Sequence, residues 1–200
     1  WAKDTIGVPE KQFAELTGED PFLYLNDQAE VSPPGSRGLV FLPYLRGERS
    51  PRWNIDAKGA FIGLTASHTR GDMIRSVLEG VSYNLKVVRD AIDSQGSVVK
   101  EMRAIGGGAE SRLWRQIFAD VFQDTLQVLT LVEGANTLGA AVLGGTGVGL
   151  FDSFDVVDEL NAVTLTQEPS ADAETRNVYA ERYARFNELY EALCPVFARM

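Results

Sequence analysis

The sequence predicts an α/β fold in which helices pack on a mixed sheet. Short apolar runs of strand length alternate with stretches of helical periodicity, and glycine and proline clusters separate them. With 200 residues and a hydrophobic fraction of 44%, the chain is long enough and apolar enough for one real core.

The first helix is expected over residues 7–17, where Pro9 suits a first turn, Phe13 and Leu16 share a face, and Gly18 ends the element. Ser32-Pro33-Pro34-Gly35-Ser36 is turn chemistry, and residues 38–43 (GLVFLP) read as a buried strand. Residues 44–58 lack a pattern and read as an irregular loop, and residues 60–64 (AFIGL) give a second strand. From Asp72 a long helix follows, its apolar residues Met73, Val77, Val81, Leu85, Val88 and Ile92 recurring three or four apart until Gly96 breaks it.

Met102, Ala104 and Ile105 lead as a strand into Gly106-Gly107-Gly108. A helix follows at once, with Leu113, Ile117 and Val121 in one apolar column and Trp114, Phe118 and Phe122 in the next. Leu126, Val128, Leu129 and Leu131 form another strand, and residues 136–143 begin a helix of small residues that permits close packing. Gly144, Gly145, Gly147 and Gly149 suggest that this helix is short or closely approached. Asp152 to Asp172 is acidic and poorly patterned, read as a small helix and a loop. Tyr179, Tyr183, Phe186, Tyr190, Leu193 and Phe197 then mark a last helix, which Pro195 is expected to break or kink.

The formal charge of −9 is spread without a basic stripe, which argues against nucleic acid as a partner. No run of about 18 apolar residues occurs and Trp1-Ala2-Lys3-Asp4 resembles no export leader, so neither membrane insertion nor export is expected. The single cysteine, Cys194, leaves no internal disulfide and disfavours a metal cage; a cytoplasmic protein is the expectation. A chain opening on Trp is expected to be part of a longer one.

Two segments carry candidate chemistry. At Gly106-Gly107-Gly108 the absence of side chains where a strand becomes a helix lets a ligand lie on the backbone beside unpaired N–H groups. The spacing is neither of the two common phosphate-loop patterns, since Ser111 stands where a third dinucleotide-type glycine would be, so a tight turn without a ligand stays open. The other segment runs from Gly59-Ala60-Phe61-Ile62-Gly63-Leu64 to Asp72-Met73-Ile74-Arg75-Ser76-Val77-Leu78-Glu79; physically it is scaffold, with Asp72 suited to a helix start. Asp90 and Asp120 fall within helices and are expected to face solvent, and His68, the only histidine, is expected to be solvated. Arg46, Arg49 and Arg52 are open to touching phosphate, tying down their loop or meeting another domain.

Gly59, Phe61, Gly63, Leu64, Asp72, Met73, Ser76, Val77, Leu78 and Glu79 resemble the second signature of the FGGY carbohydrate kinases. The loop Phe41 to Pro51 with Trp53-Asn54, the turn and helix Ile105 to Gln116, and the ending Arg182 to Pro195 are similar to the xylulose kinases of that family. The resemblance implies an actin-like ATPase (ribonuclease H-like) domain, here the C-terminal nucleotide-binding one over residues 1–200. Its N-terminal sugar-binding domain lies outside the chain, and closure of the two forms the active cleft. It further implies transfer of the γ-phosphoryl group of ATP, with magnesium, to a sugar hydroxyl, most closely that of D-xylulose, with an aspartate as base. That aspartate and the phosphate-contacting segments would precede Trp1, leaving no catalytic residue here. Gly106, Gly107, Gly108 and Ala109 match the turn that contacts the adenosine part, and Arg112 stands where glycerol kinases have an asparagine near the adenine; a guanidinium can stack on the base instead. A kinase for gluconate, glycerol or another pentulose, and a noncatalytic nucleotide- or partner-binding module, remain alternatives, and homodimerisation is left open.

Overall fold

A computed structural model describes residues 1–200. The order is α1 (Ala2–Thr5), α2 (Val8–Thr17), α3 (Pro21–Glu30), β1 (Val40–Leu42), β2 (Ala60–Ile62), α4 (Arg70–Ser94), β3 (Met102–Ala104), α5 (Arg112–Phe122), β4 (Leu126–Leu129), α6 (Ala135–Gly147), α7 (Val156–Leu160), β5 (Val163–Gln167) and α8 (Ala173–Phe197). β1 and β2 pair antiparallel with Phe41 opposite Phe61. β3 pairs parallel with β4, and β4 antiparallel with β5, so the sheet β3-β4-β5 is mixed, as expected. One core joins β1, α4, α5 and α8 through Leu42, Tyr83, Ile117, Tyr179, Phe186 and Phe197. The aromatic column of the last helix is thus packing, each fully buried ring contributing on the order of 1.5–3 kcal/mol.

α4 is the spine. Thr69 and Asp72 close a reciprocal capping box at its start, one turn earlier than the apolar periodicity begins. Gly80 lets the helix cross β1, because a Cβ there would lie 2.2 Å from the Phe41 carbonyl oxygen. On the same side Glu79 is wholly buried and accepts from the Gly35 N–H (2.9 Å), Ser36 Oγ (2.8 Å), Arg75 Nε (2.8 Å) and Tyr179 Oη (3.2 Å). Arg75 donates its other nitrogens to the Ser32 carbonyl (2.9 Å) and Tyr179 Oη (2.8 Å). Asp72 accepts from Ser32 Oγ (2.6 Å) and the Thr69 N–H (2.7 Å) and meets Arg37 Nε at 3.3 Å. These bonds hold a turn in which four successive residues, Gly35, Ser36, Arg37 and Gly38, all have positive φ.

Several expectations need correction. α2 is present and Gly18 caps it in the left-handed region, but Phe13 and Leu16 are 51% and 85% exposed. The helix instead turns Glu10 and Ala14 inward, with Glu10 paired to Arg70. α3 was not foreseen, although Asp20 as N-cap and Pro21 at the first helical position are a start signal. β5 lies where a loop was expected; its alternating Val163-Thr164-Leu165-Thr166 has strand propensity hidden by acidic surroundings. Pro195 lies inside α8, which ends two residues later at Phe197, so the proline stands at the helix end, where it forfeits one backbone hydrogen bond. On α4 the stripe Met73, Val77, Val81, Leu85, Val88 and Ile92 is not the buried face; Leu85 and Ile92 are 43% and 44% exposed.

Glu79→Ala leaves the Arg75 charge buried without its partner and is expected to lower unfolding free energy by about 3–5 kcal/mol in urea titration. The Asp72 carboxyl, which burial acts to raise, is held below the ordinary range by Ser32, Thr69 and Arg37. Its stabilisation is therefore complete above the unfolded-state pKa of about 3.9 and is lost as pH falls through the lower folded value. Thermal midpoints measured between pH 6 and pH 2 should fall less steeply for Asp72→Asn than for wild type.

Candidate functional site

The three glycines follow β3 directly. Gly106 has φ 78° and ψ 175°, a region essentially closed to side chains, and its N–H donates to the Val132 carbonyl (3.1 Å). Residues 107–109 make one 3₁₀ turn, and Ser111 caps α5 by accepting from the Trp114 N–H (3.1 Å). The N–H groups of Gly107 and Gly108 make no backbone hydrogen bond. A Cβ on Gly106 or Gly107 would meet nothing within 4 Å, so the turn opens onto free space. Gly108 is different: a Cβ there would lie 3.1 Å from the Trp114 ring, which therefore floors the turn. Trp114 is itself fixed to α4, its Nε1 lying 3.1 Å from the Leu78 carbonyl and 3.2 Å from Ser82 Oγ. From the other side Arg115 Nη1 donates to the carbonyls of Ala109 (2.6 Å) and Glu110 (2.9 Å).

The open side of Gly107 and Gly108 faces a cleft of about 640 Å³ between the chain start, α3 and α4. Trp1, Phe22, Leu23, Val77, Leu78 and Trp114 give it apolar and aromatic walls, and Asn26 gives it an amide. Its charges are four carboxylates, Asp4, Asp20, Glu110 and Glu133, against one cation, Lys3. Asp4 is held below its usual range by its hydrogen bond with Lys11, and Lys3 lies over the Phe22 ring. This balance suits an aromatic, uncharged group far better than a polyphosphate. No three acidic, histidine or cysteine side chains converge to hold a metal ion.

The structure brings Gly106, Gly107, Gly108 and Ala109 together as one turn, with Ala109 buried beneath it. Arg112 stands apart: it is 74% exposed, paired with Glu30 of α3, and does not line the cleft. Asp72 serves as a buried helix cap and Asp90 pairs with Lys86 (2.9 Å). Asp120, expected in solvent, is 4% exposed, because it ties α5 to the β5–α8 connection by accepting from the Ser170 N–H (2.6 Å). Burial pushes its carboxyl above the ordinary value. His68 is half-buried, Nδ1 accepting from the Thr65 N–H (2.9 Å), and so braces its own loop. The cleft walls on α1 and α3 were missed at sequence level; the Asp20-Pro21 start signal could have found α3 but not what it faces.

Gly106→Ala is expected to destabilise by about 1–3 kcal/mol through backbone strain, whereas Gly107→Ala should leave the unfolding midpoint unchanged. Denaturant titration of the two variants checks both.

Residues 2–148 match the model of the FGGY family of carbohydrate kinases, C-terminal domain. The chain is 40% identical over 194 residues to a gluconokinase of Bacillus licheniformis, covering 96% of this chain and 37% of that protein. It is 36% identical over 168 residues to a xylulose kinase of Staphylococcus epidermidis, covering 82% and 32%. The structure matches that of a ligand-bound xylulose kinase from Lactobacillus acidophilus with TM-score 0.82 and 28% identity, over 100% of this chain and 38% of that one. The chain thus spans between three and four tenths of the length of these relatives. Its mixed sheet flanked by helices has the actin-like ATPase fold of those kinases, and the chain belongs to the FGGY family of carbohydrate kinases.

Proposed function

We propose that this chain is the C-terminal, ATP-binding half of a carbohydrate kinase that transfers the γ-phosphoryl group of ATP to a sugar hydroxyl. The observation that carries the reading is the bare turn at Gly106 and Gly107, open to solvent, with unused N–H groups beside an aromatic-walled cleft. Gly106 to Ala109 seat the adenosine part, and the acidic lining directs the phosphates outward toward the facing domain. Magnesium, when bound, would be held by the phosphates rather than by side chains of this chain, and would supply charge neutralisation there. Stacking of Arg112 on the base requires its exposed ion pair with Glu30 to open, at a cost within about 1 kcal/mol.

The sugar and the general base belong to a second, N-terminal domain of the same protein. Two facts support this: the chain spans little more than a third of its relatives, and Asp72 and Asp120 are occupied in buried structural bonds. The apolar stripe of α4 also opens on a groove of about 530 Å³ with β3 and α5, lined by Leu85, Val88, Ile92 and Phe118, which a further element would fill. Phosphoryl transfer rests on positioning and charge stabilisation, so half of the cleft is inert. A cytoplasmic location is part of this reading, supported by the use of ATP as co-substrate, and no helix of the chain is long and apolar enough to cross a membrane.

D-xylulose, giving D-xylulose 5-phosphate, is the proposed substrate, on the loop 41–54 and the structural likeness. Gluconate is the second reading, favoured by the 40% identity to a gluconokinase. In the full-length protein kcat/KM should be higher for D-xylulose than for D-gluconate, and the reverse ranking decides for gluconate. Gly107→Val should raise the KM for ATP at least tenfold, leave the KM for sugar and the thermal midpoint unchanged, and so locate the nucleotide. The 200-residue chain alone should give no turnover; measurable activity from it refutes the two-domain reading.

A further inference from the structure

The first four residues of α5 include two arginines, Arg112 and Arg115, and no acid. A helix start is the positive end of the helix dipole, where carboxylates are favoured and cations are not. Arg112 is compensated there by its ion pair with Glu30. Arg115 has no carboxylate partner anywhere in the chain. Burial and the neighbouring Arg112 charge both act against its ionised form and lower its pKa. Its Nε is buried without an acceptor, which adds the cost of a desolvated donor. A cation kept against these local rules points to a role that needs it in place.

What Arg115 holds is backbone. Its Nη1 reaches back to the carbonyls of Ala109 (2.6 Å) and Glu110 (2.9 Å), and no backbone N–H reaches the second of these. The two carbonyls lie at the far end of the glycine turn. The Ala109 N–H donates to the Gly106 carbonyl (2.9 Å), and the Glu110 N–H donates to the Gly107 carbonyl (3.2 Å). Because the Ala109 carbonyl and the Glu110 N–H share one rigid peptide plane, a grip on the first aims the second at Gly107. Three successive glycines have more conformations to lose than any other residues, so their shape depends on supports outside them. Trp114 supports the turn at Gly108, and Arg115 is the clamp at its end. Arg115 does not line the cleft, so whatever it does there it does through the turn.

We propose that Arg115 is a positioning residue for the nucleotide, holding the turn from Gly106 to Ala109 in the shape that presents its free N–H groups to the adenosine part. The proposal rests on the nucleotide reading given above. A turn already in its bound shape has no freedom to lose on binding, so losing the clamp weakens the ground state and the transition state alike. In the full-length protein Arg115→Met keeps the apolar stem and removes the donors. Its KM for ATP should rise about tenfold, with kcat and the KM for sugar unchanged. The inhibition constant of adenosine, which competes without carrying phosphates, should rise by the same factor. Arg115→Lys, whose ammonium can donate to both carbonyls, should recover part of each loss. Should circular dichroism show Arg115→Met unfolded, Arg115→Lys decides, with smaller but equal rises in both constants expected. A rise for ATP without one for adenosine makes Arg115 a charge for the phosphates and overturns the proposal. So does a fall in kcat at unchanged KM, or an unchanged KM for ATP in Arg115→Met where Gly107→Val raises it. If neither variant changes the KM for ATP, the nucleotide reading itself fails and takes the proposal with it.

Discussion

The bonds that converge on Glu79 govern more of this molecule than any apolar contact. Its carboxylate joins α4 to the turn at Gly35 and Ser36 and, through Arg75 and Tyr179, to α8 and Ser32. Burying such a pair gives little net stability, because desolvation offsets the attraction. What it supplies is direction: the donors have one arrangement in which all are satisfied, so α4 has one azimuth against β1. The family signature that contains Asp72 and Glu79 is, in this chain, a device for setting a helix.

That setting reaches the candidate site by contact. α4 presents the Leu78 carbonyl and Ser82 to the indole of Trp114, Trp114 lies under Gly108, and Gly108 shapes the turn with its neighbours. Val77 and Leu78 also form one wall of the cleft, so a single helix both supports the turn and faces it. The carboxylates around the cleft limit what the turn can take: an aromatic ring gains contact there, whereas phosphate oxygens would meet like charge.

Apolar surface is left over on several elements. Leu85 and Ile92 of α4, Leu143 of α6, and Val163 and Leu165 of β5 are each more than 40% exposed. β3, whose only partner is the parallel strand β4, has a free edge beside the α4 groove. Parallel pairs are found with both faces covered, and an apolar stripe that lines a groove is a surface awaiting a neighbour. The second domain proposed above would cover the groove and the free strand edge.

Local pattern was enough for much of this. The 3.6-residue period announced α4, α5 and α8, Gly18 capped α2 as expected, and three glycines after a strand marked an open turn, because each depends on residues close in sequence. Spacing shows that a helix has an apolar stripe but not what lies opposite it. Only the fold could reveal that the α4 stripe borders a groove while Glu79 and Arg75 are interior, that Asp120 is buried by Ser170 fifty residues away, and that Arg112 turns to Glu30. The sequence by itself determined the long periodic helices, the strands β1 to β4, the glycine turn and the family resemblance, through local propensity and fixed spacing, but not α1, α3 or β5. Tertiary structure decided which faces are inside and which groups meet, since burial is set by contacts between segments far apart in the chain.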